Sequence, residues 1–152
     1  MSGAVSVVIA VRDQARYLGE AIDSVLGQSL PPQRLVVVDD ASSDGTAEVA
    51  RSRGVETIVL PECLGPAGAR NAGAALIDSE YICFLDGDDR MTPCHNELLL
   101  AAIGDAGAAA GRVRQFFDPG REAELSALPK VLAKLGFGTV QVERVFVRRR
   151  RT

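Results

Sequence analysis

Phe84-Leu85-Asp86-Gly87-Asp88-Asp89 places three carboxylates within four residues, directly after the apolar run Tyr81-Ile82-Cys83-Phe84-Leu85. A short β-rich run that ends in acids reads as a buried strand delivering charge to the carboxyl edge of a sheet, where open α/β sheets bind ligands. Carboxylates packed this closely raise one another's pKa unless a cation neutralises them, and hard oxygen donors favour Mg²⁺ or Mn²⁺. Asp and Gly are also ordinary turn residues, so a solvated acidic turn is the competing reading of these six residues taken alone. The surrounding chain decides between the two.

The same pattern occurs upstream. Leu35-Val36-Val37-Val38 is a second buried strand, and it too runs into acids, Asp39-Asp40, before the turn Ala41-Ser42-Ser43-Asp44-Gly45-Thr46. Val5-Ser6-Val7-Val8-Ile9-Ala10-Val11 is β-branched and nearly continuous, which suits the central first strand of a parallel sheet covered on both faces. Leu18, Ile22, Val25 and Leu26 recur at helical spacing and predict an amphipathic helix over 13–28, with Asp13 as its cap and Pro31-Pro32 as its stop. A short helix is expected over 46–53 with Gly54 closing it, then a third strand over 56–60. Pro66 suits a first helical turn, and the small residues after it allow close packing, so a helix is expected over 66–77. Packing explains Gly68 and Gly73 but not Arg70, which is costly to bury without a partner and therefore faces an anion or one of the acids.

Beyond the acids, Pro93 opens a helix carrying Leu98, Leu99, Ala102 and Ile103, and residues 104–111 read as an Ala/Gly-rich turn. Alternation predicts a strand over 113–117, and helical spacing predicts a helix over 122–135 interrupted by Pro129. A last strand is expected over 139–147, with a phase slip after Val142.

Composition sets the outer bounds. A chain of 152 residues with 47% hydrophobic and 24% charged residues suits one globular domain with a sizeable core. A formal net charge of −3 gives no general attraction to nucleic acid, and the arginine run 148–151 reads as a solvated tail. Cys63, Cys83 and Cys94 are odd in number and lack zinc spacing, so free thiols in a reduced, cytoplasmic setting are expected. No apolar run approaches the ~18 residues that span a bilayer. Cys83 reads as a small core residue, and neither Cys63 nor Cys94 has a sequence neighbour that would mark it as a nucleophile. His95, the single histidine, is read as a surface or capping residue at a helix start.

Taken together, the Val5-Ser6-Val7-Val8-Ile9 strand, the Val38-Asp39-Asp40 segment with its Ser/Asp/Gly turn, Gly65-Pro66-Ala67-Gly68-Ala69-Arg70-Asn71-Ala72-Gly73 and Asp86-Gly87-Asp88-Asp89 resemble family 2 glycosyltransferases of the GT-A fold. The resemblance is good through Pro93 and looser afterwards. It implies a Rossmann-like three-layer α/β/α domain with a mostly parallel sheet, in which 1–93 form a nucleotide-sugar-binding core and 94–152 a short, divergent acceptor-side remainder. It implies a nucleotide diphosphate sugar donor, most often UDP-linked, with its base near Ala10, Val11 and Arg12 and hydrogen-bonded to Asp40, while Asp39 supports that loop. Arg70 would hold the nucleotide or orient the acids. Asp86-Gly87-Asp88 would be the family's DXD motif, with Asp88 on a Mn²⁺ or Mg²⁺ ion and Asp86 reaching the ribose or a metal-bound water. Asp89 would be an adjoining contact.

The implied reaction is an inverting displacement, which needs a general base on the acceptor hydroxyl. Asp118, Glu122 and Glu124 are available carboxylates, but a solvated helix start explains them more simply, so no base is assigned. Ala10 stands where the family commonly has proline, and Asp13 where it often has asparagine. Both departures bear on the contacts to the base. Because the donor motifs are present without a recognisable acceptor half, a non-catalytic nucleotide-sugar-binding or interaction module stays open as the second reading, with homodimerisation as a way to cover exposed surface. A signalling receiver using Asp39-Asp40 as its acidic pair is disfavoured, because it needs a lysine after a late strand and Lys130 and Lys134 fall on an expected helix. A dinucleotide-binding dehydrogenase is excluded because no GxGxxG follows the first strand.

Overall fold

In the computed structural model, which describes residues 4–111 and 144–148, every residue of the first strand, β1 (Val5–Val11), is buried. A nearly continuous β-branched run favours this environment, because both faces of its pleat are mainly apolar, with Ser6 the one polar residue. On one side β1 pairs in parallel with β2 (Leu35–Asp39), which pairs in parallel with β3 (Glu56–Val59). On its other side β1 pairs in parallel with β4 (Tyr81–Asp86). Two antiparallel strands, β5 (Ala108–Gly111) and β6 (Arg144–Arg148), complete the order β3-β2-β1-β4-β6-β5.

Successive side chains of a strand point to opposite faces, and the core divides accordingly. Val7, Ile9, Val11 and Val37 pack on one face with Leu18, Ile22 and Val25 of helix α1 (Ala15–Leu26), Ala50 of α2 (Thr46–Ser52), and Leu99 and Ile103 of α4 (His95–Ile103). Val8, Ala10, Val36 and Val38 pack on the other with Ala69 of α3 (Gly65–Ala75) and with Ile77. The result is a three-layer α/β/α sandwich. At Gly73 a Cβ would collide with Val8 Cγ1 and stand 3.0 Å from Val38 Cγ2. The small residues of α3 thus let its backbone lie almost on the sheet.

Strand order positions the site. The chain builds outward from β1 through β2 to β3, then returns to add β4 on the opposite side of β1. The connection that makes this return, α3, crosses on the face opposite to α1, α2 and α4, and the reversal opens a crevice at the carboxyl ends of the strands.

Several elements differ from the sequence expectation. Residues 104–111 are a turn only as far as 107, since Ala108–Gly111 is strand β5 paired with β6. Alanine has weak strand preference, so it is the partner strand that makes this segment extended. Arg148 belongs to β6, where its backbone pairs with Tyr81, and is therefore not tail. α4 starts after Pro93, whose carbonyl instead accepts the Ser29 N–H at 2.8 Å. Gly54, at φ +68°, ends α2 as expected. The expected strand over 113–117, the helix over 122–135, the phase slip after Val142, and Arg149 to Arg151 lie outside the described residues. Among the described residues no helix is long and apolar enough to cross a membrane.

Candidate functional site

Parallel register sets Ala10 opposite Val38 on one side and Asp86 on the other, and Val11 opposite Asp39. Three strand ends, two of them acidic, therefore meet at one edge. A cleft of about 440 Å³ opens there, lined by Ala10, Val11, Arg12, Asp40, Arg70, Asp86 and Asp88, among others. Asp39 and Gly87 do not line it; they lie behind its wall.

The acids at the end of β2 are buried, Asp39 behind the cleft and Asp40 in its wall. Asp39 is 1% exposed, and its Oδ1 accepts the Ser42 N–H at 2.9 Å, which fixes the turn after the strand. Asp40 is 3% exposed, and its own N–H donates to the Val11 carbonyl at 2.9 Å. Its Oδ1 accepts the Leu64 N–H at 2.7 Å, and its Oδ2 accepts the Cys63 thiol at 3.3 Å. Burial pushes the Asp40 pKa up, but hydrogen bonds from the Leu64 N–H, the Cys63 thiol and the Gly65 N–H, with the Arg12 charge, outweigh it and hold the group below its ordinary value. Asp40 thereby seats the first residues of α3, whose preceding residue Leu64 supplies no side-chain cap.

The two loops beside this wall lock each other. Asp13 and Ala41 both adopt left-handed backbone, at φ +51° and +58°. The Ser43 N–H donates to Asp13 Oδ1 at 2.8 Å, while the Asp13 N–H donates to Ser42 Oγ at 2.9 Å. Asp13 is consequently not the cap of α1. The free amides of that helix start are taken by residues some thirty positions ahead: Thr46 Oγ1 accepts the Gln14 N–H at 3.0 Å, and Asp44 Oδ2 accepts the Ala15 N–H at 3.0 Å. Asp44 is held below the ordinary carboxylate pKa by the Thr46 hydroxyl first, against the opposing effect of burial, with the backbone amides of Ala15 and Thr46 adding to it. This lock holds Arg12 at the mouth of the cleft, where its side chain is 51% exposed.

The acids of β4 are turned outward. A Cβ at Gly87 would lie 2.5 Å from Val11 Cγ2 and 2.6 Å from Gln14 Oε1. Only glycine lets the turn press against the end of β1, and this lays Asp86 and Asp88 along the cleft. Asp86 Oδ1 accepts from Arg70 Nη2 at 2.5 Å in a half-exposed ion pair. Asp88 is exposed. The segment that follows is pinned to α1: the Met91 N–H donates to Ser24 Oγ at 3.0 Å, Gln28 Nε2 to the Thr92 carbonyl at 2.7 Å, and Arg90 to Glu20 at 2.7 Å. Among the described residues no three His, Cys, Asp or Glu side chains converge into a ready metal cage. Two carboxylates on one cleft wall nevertheless fit an ion such as Mg²⁺ or Mn²⁺, which takes one or two protein carboxylates and completes its shell from substrate phosphates and water.

His95 is not the N-cap of α4, a position held by Cys94. It is half-buried, with Nε2 3.9 Å from Cys83 Sγ, and Cys83 is fully buried in the core. The cleft also includes Gln14, Cys63, Gly65, Pro66 and Ala69, which were not singled out as site residues from the sequence. Gly65, Pro66 and Ala69 belong to the helix-start motif that carries Arg70, and that motif could have pointed to them. Cys63 gave no local signal, because its partners Asp40 and Arg12 lie 23 and 51 positions away in the chain.

A mostly parallel sheet, two acid-tipped strands and an arginine beside the acids define an α/β domain with a charged cleft at the carboxyl edge of its sheet. The chain belongs to glycosyl transferase family 2, whose model matches residues 6–147. It is 34% identical over 142 residues to the succinoglycan biosynthesis protein ExoO of Rhizobium meliloti, covering 84% of this chain and 40% of that protein. It is 33% identical over 91 residues to the putative teichuronic acid biosynthesis glycosyltransferase TuaG of Bacillus subtilis, covering 57% of this chain and 36% of that protein. The chain thus spans well under half the length of these relatives. Among solved structures, the mannosyltransferase PcManGT from Pyrobaculum calidifontis, in complex with GDP-Man and Mn²⁺, superposes with a TM-score of 0.67 at 20% identity, covering 98% of this chain and 45% of that one. Glucosyl-3-phosphoglycerate synthase from Mycobacterium tuberculosis, in complex with Mn²⁺, UDP and glucosyl-3-phosphoglycerate, gives a TM-score of 0.64 at 20% identity, covering 97% of this chain and 57% of that one. The fold is the GT-A form of the Rossmann-like α/β/α architecture.

Proposed function

We propose that the cleft binds a nucleotide diphosphate sugar, UDP-linked in the first instance, and that the chain serves its metal-dependent, inverting transfer to an acceptor. The observation that carries this reading is the convergence of Asp40, Asp86, Asp88, Arg12 and Arg70 on one cleft at the switch point of a family 2 glycosyltransferase sheet. Residues 1–93 form the donor half in this reading.

Charge supports it. Three carboxylates against two guanidiniums leave the cleft with one excess negative charge, which repels a diphosphate unless a divalent cation joins it. Asp88 and Asp86 would hold that Mn²⁺ or Mg²⁺, which when bound stabilises the charge developing on the departing diphosphate. Ala10 and Val11 offer an apolar strand end against which a base can lie. Asp40, kept ionised by its donors, offers an acceptor to a ring N–H, and Asp39 holds the turn that aims it. Arg70, 2.5 Å from Asp86, keeps that carboxylate oriented before donor arrives and can turn to a phosphate afterwards.

Calorimetric titration of UDP with Mn²⁺, repeated with chelator and on Asp88→Ala, tests the donor site. Binding that needs the metal and is lost in the variant is the expected result, and no binding under any condition overturns the reading. Release of radiolabelled sugar from the donor then separates a transferase from a module that binds without turnover.

A further inference from the structure

Cys63 is an exposed, free thiol on the cleft wall. It stands in a short polar chain: Arg12 Nη1 donates to its sulfur, and its S–H donates to Asp40 Oδ2 at 3.3 Å. Asp40 Oδ1 is committed to the Leu64 N–H at 2.7 Å, a backbone contact that ligand binding cannot remove without moving the start of α3. The Gly65 N–H also donates to this carboxylate, so of its partners in the structure only the one on Oδ2 is a side chain that can turn away, and it is a thiol, one of the weakest donors in proteins. A base N–H on an ionised carboxylate makes a shorter and stronger charge-assisted bond.

We propose that Cys63 sets the affinity and base selectivity of the cleft by occupying Asp40 Oδ2 until the ring N–H of a nucleobase displaces its thiol. This rests on the donor-site reading above. Displacement leaves no orphaned group, because the sulfur keeps Arg12 and the weak S–H can turn to solvent at an exposed position. The thiol thus acts as a soft competitor: a base that presents a ring N–H toward Oδ2 must displace it and loses part of its advantage, while a base without one gains nothing from Oδ2 either way, so Cys63 narrows the preference between them. Cys63 is a specificity-determining residue in this scheme and takes no part in bond making.

The test is calorimetry on the full chain with Mn²⁺, comparing wild type with Cys63→Ala. The probes are UDP and GDP, each beside the analogue methylated at its ring nitrogen (N3 of uracil, N1 of guanine). Removing the competitor is expected to tighten the unmethylated nucleotide by about two- to tenfold, the range of one weak hydrogen bond, while leaving its methylated analogue unchanged. A variant that binds both members of a pair more weakly, or shifts both by the same factor, overturns the proposal and leaves Cys63 a packing role. Wild type binding neither UDP nor GDP removes the donor-site reading itself, an outcome distinguishable from the first because it does not depend on residue 63.

Discussion

Two strands of this protein end in paired acids at the same edge of the same sheet, and the two pairs have opposite fates. On β2, Asp39 and Asp40 are 1% and 3% exposed and accept hydrogen bonds from Ser42, Leu64 and Cys63. On β4, Asp86 has one ion pair at 48% side-chain exposure, and Asp88 is exposed. The β2 pair accepts from the protein's own loops at each carboxylate. The β4 pair keeps most of its capacity for something that is not protein. A buried carboxylate held by loop donors shapes a site, whereas an exposed one with more open lone pairs can bind a cation, and the comparison shows that a shared sequence pattern does not distinguish the two.

The sharpest way to break the contrast is at Asp88. Asp88→Ala should lower donor turnover on the order of 10²–10³-fold, the usual effect of losing a charge stabiliser. Its unfolding free energy should stay within about 0.5 kcal/mol of wild type, as for exposed substitutions generally. Parallel kinetics and urea titration check both, and a large loss of stability would show that Asp88 is built into the fold as the β2 acids are.

Asp40→Ala should do the reverse at the level of stability. It strips the Leu64 N–H of its acceptor beside the start of α3, an effect of about 1–3 kcal/mol readable from a urea midpoint. Acid titration sharpens the same point. Asp40 and Asp44 both lie below their ordinary pKa of 3.8 in the folded chain, so the stability they add is present above that value and is lost as the pH falls through their folded pKa values. The unfolding free energy of wild type should drop below about pH 4, and Asp40→Asn combined with Asp44→Asn should flatten that drop. An unchanged acid limb in the double variant would place the acid sensitivity elsewhere.

The smallest effect belongs to Arg70→Gln. Its ion pair with Asp86 is half-exposed on both sides, so stability should change by no more than about 1 kcal/mol. Donor affinity is the quantity expected to fall, and a thermal melt beside a UDP titration separates the two.

Much of the frame was legible from local chemistry. Val5–Val11 announces a two-sided buried strand because no face of it is polar, and Asp39-Asp40 and Asp86-Gly87-Asp88 mark strand ends because carboxylates do not continue into a core. Gly54 reads as a helix stop, and it occupies the left-handed position that glycine takes without strain. Other features could not be read locally. Asp13 has the chemistry of an N-cap, yet the amides it was expected to serve are held by Asp44 and Thr46, because two left-handed turns bring the loops together. Ala108–Gly111 has turn-like composition, yet pairing with β6 makes it a strand.

What the sequence determined by itself is the set of groups brought to the sheet's edge: the period of the apolar residues dictates which segments are strands, and the acids at their ends follow them there. Which of those acids would be spent and which kept free was decided by tertiary structure alone. Leu64 reaches Asp40 across 24 positions of chain and Arg70 reaches Asp86 across 16. Hydrogen bonds form only within about 3 Å, and that distance is set by strand register and by the loops that α1 and α3 hold in place, not by neighbouring residues in the chain.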